Sequence, residues 1–238
     1  MIETQTDAAS WSRITVETVH KAKVAGPRSS LYLTAKRWMD FICSAVLLVV
    51  LLPLMILIAL AITLDSRGPA IFRQKRMGKD RRGFVMFKFR SMVAHADEGI
   101  HKQFAKQYIN GHASGLNGGQ AAYKLNGDGR ITRVGKWLRR TSLDELPQLF
   151  NVLRGEMSLV GPRPAVGYEV EQYSQWHMRR LAVMPGLTGL AQISGRSGLT
   201  FEKIARLDID YIQRRSLTLD VLILLRTIPV VLKAKCAA

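Results

Sequence analysis

A long apolar segment is the feature that most limits the structures open to this 238-residue chain. The segment FICSAVLLVVLLPLMILIALAITL runs from Phe41 to Leu64 without a charged residue. A helix needs about 20 apolar residues to cross the hydrocarbon layer of a bilayer, so this segment is long enough to enter a membrane. It begins too far along the chain, and is too long, for the apolar part of a signal peptide. We therefore expect a membrane helix.

The flanks of this segment bear on its topology. A spanning helix concentrates lysine and arginine at its cytoplasmic end, whereas here both flanks are basic. Pro53 lies inside the segment, removes a backbone donor and disfavours helical angles at Leu52. Two alternatives stay open. One is a kinked helix that spans the membrane. The other, which the sequence favours, is a re-entrant hairpin of two helices bent at Leu52 and Pro53. In this hairpin Lys36 and Arg67 both face the cytoplasm, and protein covers the carbonyls that are freed at the bend.

The charge balance points to an anionic partner. Lysine and arginine number 35 against 18 acidic residues, a formal net charge of +17. Such a chain suits nucleic acid, or an anionic membrane surface together with phosphorylated substrates. A nucleic-acid binder leaves the apolar segment unexplained, so we expect no nucleic-acid partner. The two cysteines and five histidines show no disulfide framework and no metal-ligand spacing.

The composition divides the chain into three regions. Residues 1–30 are polar and expected to be disordered, residues 31–66 form the re-entrant membrane hairpin, and residues 67–238 form a small cytoplasmic domain with amphipathic interfacial helices. The predicted fold class is mixed α/β, helix-dominated and monotopic.

Within the third region, local patterns predict individual elements. The stretch Gly68–Met92 alternates apolar and basic residues around Gly78 and Gly83, which indicates short strands joined by turns. A glycine-rich connector is predicted over Asn110–Gln120. Amphipathic helices are predicted over Arg130–Arg140 and Leu217–Lys235, each suited to a membrane surface or to the core.

The stretch RRTSLDELPQLFNVLRGEMSLVGPRP places two adjacent carboxylates, Asp144 and Glu145, among many cations. In one interpretation they are structural. Ser142 and Glu145 then form a capping box. Against this, Pro147 indicates that the helix begins close to Leu146 and ends at Gly155, so that the carboxylates lie at its N-terminus.

The other interpretation is catalytic. A helix N-terminus binds phosphate, and Arg139, Arg140 and Arg163 could complete such a site. One carboxylate would attack phosphorus while the other holds a divalent cation. Adjacent helical residues point about 100° apart, which suits two separate roles.

Several motifs between Lys36 and Leu232 resemble the bacterial sugar transferase family, the monotopic phosphoglycosyl transferases of polyprenol-linked glycan assembly. The motifs are KRWMD, GPAIFRQKRMG, FKFRSM, RITRVGKWLRRTSLDELPQLFNVLRGEMSLVGPRP, PGLTGLAQISGR and LDIDYIQRRSLTLDVLILLRT. The long central motif is highly specific.

The resemblance implies a reaction and a location. It implies transfer of a hexose 1-phosphate, galactose or glucose, from a UDP-sugar to undecaprenyl phosphate, with release of UMP, at the start of exopolysaccharide or related glycan assembly. It also implies insertion among the lipids of the bacterial inner membrane, with the catalytic domain on the cytoplasmic face. A noncatalytic scaffold or regulator of polysaccharide synthesis is the alternative, and a homo-oligomer is compatible with the sequence.

The resemblance also assigns roles to residues. Asp144 corresponds to the nucleophile, which forms a covalent aspartyl intermediate, and Glu145 to the ligand of Mg²⁺. Asp210 stands where the family more often carries tyrosine. The implied substrate-binding residues are Lys88, Arg90, Arg139, Arg163 and Asp208.

Overall fold

The computed structural model describes residues 30–93, 99–109, 129–195 and 198–232. All but the last residue of the polar region predicted over residues 1–30 lies outside this description. The connector Asn110–Gln120 and the last residues of the predicted C-terminal helix also lie outside it. Helices predominate, as expected. They are α1 (Ser30–Asp65), α2 (Gly99–Ile109), α3 (Arg133–Thr141), α4 (Gln148–Arg154), α5 (Gly167–Val170), α6 (Gln175–Met178), α7 (Leu190–Ile193), α8 (Phe201–Arg214) and α9 (Leu217–Leu232).

Helix α1 contains the apolar segment and continues through Pro53 as one helix. The backbone is therefore not divided into the two helices expected on either side of Leu52 and Pro53. Proline removes only one helical hydrogen bond, and apolar helices in membranes tolerate that loss. An 18-residue window of α1 has a mean hydropathy of 3.2 but is only 22% buried, and within the described ranges α1 alone is long and apolar enough to cross a membrane. This exposure is typical of a helix that faces lipid.

The N-terminal part of α1 is bound to the rest of the protein by polar contacts. Arg37 donates through Nη1 to the Val152 carbonyl (2.6 Å) and through Nη2 to the Leu153 carbonyl (2.7 Å) at the end of α4. The Asp40 carboxylate accepts a hydrogen bond from the Leu159 backbone N–H (3.1 Å). Because Asp40 is only 3% exposed, this contact is part of the interior.

The C-terminal end of α1 is bound in the same way. Asp65 accepts a hydrogen bond from the Val134 N–H (3.0 Å) at the start of α3. The buried Arg90 guanidinium donates to the carbonyls of Ser66 (2.6 Å) and Arg67 (2.7 Å), which follow α1. The last carbonyls of a helix have no partner within it, and Arg90 supplies one. Both ends of α1 are therefore attached to the same folded domain.

A buried polar cluster joins α1 to α9, the first described helix to the last. Asp220 is fully buried and forms an ion pair with Lys36 (Nζ to Oδ2, 3.0 Å). It also accepts hydrogen bonds from the hydroxyls of Tyr211 (2.7 Å) and Tyr32 (3.2 Å). The carboxylate thus has three donors, as a buried charge requires.

The predicted strands form a hairpin. Strands β1 (Ile71–Met77) and β2 (Gly83–Phe89) pair antiparallel, with Ile71 opposite Phe89 and Met77 opposite Gly83. Asn151 of α4 fastens this hairpin to the helix: its Oδ1 accepts from the Phe87 N–H (3.0 Å) and its Nδ2 donates to the Val85 carbonyl (2.7 Å).

A short parallel pair lies nearby, formed by β3 (Ser158–Val160) and β4 (Gly186–Thr188). Glycine is required where the two segments approach each other, because a Cβ at Gly186 would lie 2.1 Å from the Gly161 nitrogen. Bulky side chains are excluded there by contact with the backbone.

The hydrophobic core forms where α1 meets the domain. The buried side chains of Met55, Ile58 and Ile62 in α1 pack with those of the hairpin, α3, α4 and α9. Helix α3 begins after Thr132, whose hydroxyl accepts from the Gly135 N–H (3.0 Å). The predicted apolar face of α3 is only partly buried, since Trp137 is 51% exposed. Large exposed apolar side chains outside α1 include Trp137, Phe150, Leu217, Val221, Leu225 and Ile228.

The fold predicts that Asn151→Ala is strongly destabilising. Asn151 is fully buried, and the variant leaves the Phe87 N–H and the Val85 carbonyl without partners. The loss should be about 2–4 kcal/mol of unfolding free energy, the sum of a lost hydrogen bond and unsatisfied groups. Thermal unfolding of the purified protein in detergent measures it. Asn151→Asp keeps the acceptor for Phe87 but places its second oxygen against the Val85 carbonyl and the Glu156 carboxylate, so it should lose at least as much stability as Asn151→Ala. A variant as stable as the wild type would contradict this role.

Candidate active site

The acidic pair lies between two helices. Ser142 has left-handed backbone angles (φ 60°, ψ 15°) and ends α3, and a 3₁₀ turn follows over Leu143–Glu145. Ser142 makes no side-chain capping bond, so the capping-box interpretation is wrong: the chain reverses direction at this serine and no α-helix starts there. The predicted end of α4 is confirmed, with Gly155 at φ 78°. The carboxylates therefore sit in a tight bend.

A cavity of about 500 Å³ opens beside this turn and has walls of two kinds. One wall is apolar and includes side chains of the two apolar helices α1 and α9. The other carries charged and polar groups from the hairpin, the 3₁₀ turn, the GPRP segment, α5, the turn that contains Arg180, and α8. The apolar residues from the helices are Leu47, Leu51, Leu224, Ile228 and Val231, and the charged ones are Arg76, Lys88, Glu145, Arg163, Glu169, Arg180 and Asp208.

Lys88 and Glu145 form the ion pair nearest to the acidic turn. Lys88 Nζ lies 2.9 Å from Glu145 Oε1, and both side chains line the cavity. The side chain of Lys88 is 17% exposed and that of Glu145 is 32% exposed. Asp144 lies between the cavity-lining residues Leu143 and Glu145 but does not itself line the cavity, and it is 9% exposed. The two carboxylates thus have different environments, one largely buried and one beside a cation.

The GPRP segment holds Arg163 at the cavity wall. The buried Arg76 guanidinium donates to the Pro164 carbonyl (3.1 Å), and the Met77 N–H donates to the Ala165 carbonyl (2.8 Å). On the other side of Arg163, the Gly161 N–H donates to the Thr188 carbonyl (2.9 Å). The backbone around Arg163 is therefore fixed to both the hairpin and β4.

The polar wall also contains a buried ion pair of Arg180 and Asp208. Arg180 approaches Asp208 Oδ2 through Nε (2.8 Å) and Nη2 (2.7 Å), and its Nη1 donates to the Tyr173 hydroxyl (2.8 Å). The guanidinium also lies over the rings of Tyr173 and Phe201, 5.5 and 5.3 Å from their centroids. Burial raises the pKa of the Asp208 carboxyl, and the adjacent Arg180 opposes that rise. Burial also raises the pKa of Tyr173 to about 12.

Besides Asp144, two predicted substrate-binding residues lie outside the cavity lining. Arg90 holds the carbonyls at the end of α1, as described above, and Arg139 is half-buried in the last turn of α3. The structure thus brings Lys88, Glu145, Arg163 and Asp208 to one cavity and places Asp144 beside it. Arg90 and Arg139 flank this group.

Sequence reasoning missed several lining residues, notably Arg180, Tyr173 and Phe201. Arg180 lies 28 positions before its partner Asp208, in a segment of short helical turns without regular periodicity. The adjacent arginines in HMRRLAV were the only available signal, and such a pair is more often on the surface.

Asp144 and Glu145 are the candidate donors for a metal ion. Among the described residues, no group of three or more histidine, cysteine, aspartate and glutamate side chains is placed to hold a metal. Magnesium commonly binds one or two carboxylates and takes its remaining ligands from water and substrate phosphates. Asp144 and Glu145 suit that mode, in which the ion is shared with a phosphate ligand.

Comparison with known proteins identifies relatives along nearly the whole described chain. Residues 31–234 match the family model described as bacterial sugar transferase. The chain is 42% identical over 206 residues to the undecaprenyl-phosphate galactose phosphotransferase of Salmonella typhimurium, and 42% identical over 218 residues to the UDP-glucose:undecaprenyl-phosphate glucose-1-phosphate transferase of Xanthomonas campestris pv. campestris. These alignments cover 87% and 88% of this chain.

The relatives differ in length. The chain spans only 42% of the Salmonella protein and 41% of the Xanthomonas protein. It spans 85% of the exopolysaccharide production protein ExoY of Rhizobium meliloti, to which it is 41% identical over 197 residues, an alignment that covers 83% of this chain. The matched region is therefore a unit that occurs both within long proteins and as most of a short one.

The contacts of Arg90 predict a structural effect of its substitution. Arg90→Gln should lower the thermal unfolding midpoint, because the carbonyls after α1 lose a charged donor worth about 1.5–3 kcal/mol per hydrogen bond. Lys88→Gln, which changes a cation that lines the cavity, should preserve the midpoint. An Arg90→Gln protein with the midpoint of the wild type would contradict the structural role.

Proposed function

The chain belongs to the bacterial sugar transferase family, and on that premise we propose that it transfers a hexose 1-phosphate from a UDP-sugar to undecaprenyl phosphate and releases UMP. The hexose is galactose or glucose, the sugars in the names of the relatives. The product, a lipid diphosphate sugar, begins an exopolysaccharide or related glycan. The one observation that carries the proposal is the cavity with one apolar and one charged wall.

The two walls suit the two substrates. A polyprenol phosphate joins a long apolar chain to a phosphate, and the apolar side chains of α1 and α9 continue the cavity toward the exposed apolar surface of these helices. Lys88 and Arg163 on the charged wall suit the phosphates of both substrates. The volume of about 500 Å³ lies in the range of about 300–1,000 Å³ that is typical of small-molecule sites.

In the first half-reaction, a carboxylate oxygen of Asp144 attacks the phosphorus that carries the sugar. A bond forms between that oxygen and phosphorus, the bond from phosphorus to the oxygen of UMP breaks, and UMP leaves with the bond's electron pair. Its low exposure keeps Asp144 away from bulk water, which protects the phosphoryl group from hydrolysis.

In the second half-reaction, a phosphate oxygen of the polyprenol phosphate attacks the same phosphorus. The bond to Asp144 breaks, and the carboxylate is regenerated. Arg163, whose backbone is fixed on both sides, donates to phosphate oxygens through both half-reactions.

Glu145, with Asp144 beside it, would hold Mg²⁺ when substrate phosphates complete the ligand set. The bound ion would neutralise phosphate charge that otherwise repels the attacking carboxylate. Lys88, 2.9 Å from Glu145, orients that side chain and adds positive charge to the same wall.

Isotope exchange tests whether UMP is released before the polyprenol phosphate reacts. Labelled UMP should enter UDP-sugar in the absence of polyprenol phosphate, because the first half-reaction is reversible and needs no lipid. Asp144→Asn should reduce exchange by at least about 1,000-fold, as loss of a nucleophile does. Glu145→Gln should slow both half-reactions and shift their Mg²⁺ dependence.

Asp210→Asn is the matched control, since Asp210 pairs with Arg214 (2.7 Å) and does not line the cavity. It should exchange at the wild-type rate. Turnover with lipid but no exchange without it would overturn the covalent step and favour direct transfer.

The attachments of α1 support a re-entrant topology on the cytoplasmic face. Its N-terminal part binds α4 through Arg37, and its C-terminal end binds α3 through Asp65, so both ends contact one domain that itself cannot cross the bilayer. A helix that spans the membrane would separate these contacts by about 30 Å of hydrocarbon. Both flanks of the apolar segment then lie on one side, with α1 immersed in one leaflet.

Cysteine labelling tests this topology. In a background of Cys43→Ser and Cys236→Ser, Leu31→Cys and Arg67→Cys place thiols at exposed positions on the two flanks. Neither should react with a membrane-impermeant maleimide applied to the periplasmic side, and both should react after lysis. Lys203→Cys, at an exposed position on α8, is the control that reports on which side of the membrane the domain lies. Reaction of either flank before lysis would show that α1 spans.

A further inference from the structure

A second cavity of about 160 Å³ lies at the N-terminal part of α1, and it shares no lining residue with the first. Its walls come from α1, the 3₁₀ turn after β1, the start of β3 and the end of α8. The charged side chains that line it are Lys36, Arg37, Lys79 and Arg215, against the single carboxylate Asp40. This excess of positive charge makes the cavity attractive to an anion.

Three of these charged side chains contact groups of the protein through ion pairs or hydrogen bonds. Lys36 is paired with Asp220, and Arg37 donates to the carbonyls of α4. Asp40 accepts from the Leu159 N–H and lies 3.6 Å from Lys36. The cavity's carboxylate is therefore already engaged, by a backbone donor and by Lys36.

Arg215 differs from these three residues in its guanidinium group. Its Nε and Nη1 are buried and have no hydrogen-bond partner among the residues that the structure describes. Its place in the chain is well fixed, because its backbone N–H donates to the Tyr211 carbonyl (2.7 Å) at the end of α8. Buried guanidinium nitrogens without an acceptor are costly, and native proteins normally supply one. An oxyanion in the cavity would supply this acceptor.

The position of the cavity indicates where that anion comes from. Leu33, on the cavity wall, is 52% exposed, and Trp38, one turn along α1, is 60% exposed just before the apolar segment begins. Tryptophan at the end of a membrane helix is typical of the headgroup level. The cavity therefore lies near the start of the apolar segment, at the level expected for lipid phosphates.

We propose that this cavity binds the phosphate group of a membrane phospholipid, at a site separate from that of sugar-phosphate transfer. Its volume is below the range of about 300–1,000 Å³ typical of small-molecule sites, and suits one phosphate with a few waters, each of which occupies about 30 Å³ in the liquid. The phosphate accepts from Arg215 and lies near Lys79. It thereby links α1, α8 and the turn of the hairpin, and fixes the depth of the domain in the membrane.

The test uses the full chain in detergent. Native mass spectrometry counts bound phosphatidylglycerol, and thermal unfolding is measured with added phosphatidylglycerol or, separately, inorganic phosphate. The wild type should retain the lipid and gain thermal stability with it. Arg215→Gln should reduce retention at least fivefold and abolish the gain. Arg206→Gln removes the same charge from an exposed position on α8, where the side chain is 72% exposed, and should behave as the wild type.

The two ligand arms distinguish the source of the phosphate. A gain with phosphatidylglycerol alone identifies a lipid headgroup, and an equal gain with inorganic phosphate identifies a soluble oxyanion at the same site. Lys79→Gln, on an exposed turn, should weaken retention without lowering the stability of the lipid-free protein. The proposal is overturned if Arg215→Gln retains lipid as the wild type does. It is also overturned if that variant is more stable than the lipid-bound wild type, since Arg215 would then be an uncompensated buried charge.

Discussion

The structure depends on the attachment of both ends of one apolar helix to a single folded domain. Arg37 and Asp40 hold the N-terminal part of α1, and Asp65 and Arg90 hold its C-terminal end. Between these anchors, Met55, Ile58 and Ile62 complete the hydrophobic core. The domain consequently has no complete interior without α1, and α1 has no freedom to move independently of the domain. The domain can therefore complete its packing only when α1 is in place.

The same attachment shapes the main cavity. Because α1 and α9 supply apolar side chains to it, the charged side chains of Lys88, Glu145 and Arg163 lie in one cavity with surfaces of the two apolar helices. In the proposed reaction, a lipid substrate would present its phosphate to these charges while its apolar chain stays against the helices. Charges that would be costly in lipid are held on the hairpin, the acidic turn and α8, each of which is fixed by backbone contacts.

Local patterns predicted much of the fold because they reflect local physics. The alternation around Gly78 and Gly83 predicted the hairpin, and Gly155 predicted the end of α4, since both depend on nearby residues. The capping box at Ser142 failed because that residue ends α3 with left-handed angles, a choice imposed by tertiary packing. Likewise, no local pattern pairs Arg180 with Asp208 or directs Arg90 to the end of α1. These contacts join distant segments. The acidic pair is indicated by the long motif that contains it, because periodicity alone does not distinguish a catalytic pair from a structural one.

The buried cluster around Asp220 has a consequence for synthesis on the ribosome. Tyr32 and Asp220 are 188 positions apart, so Tyr32 on α1 meets its acceptor only after α9 has been synthesised. Closing so long a loop is slow, because its entropic cost must be met before the contact forms. Until then Lys36 and Tyr32 must stay hydrated at the membrane surface while the apolar segment is already in lipid. The buried cluster around Asp220 is therefore completed late, when α9 packs against α1.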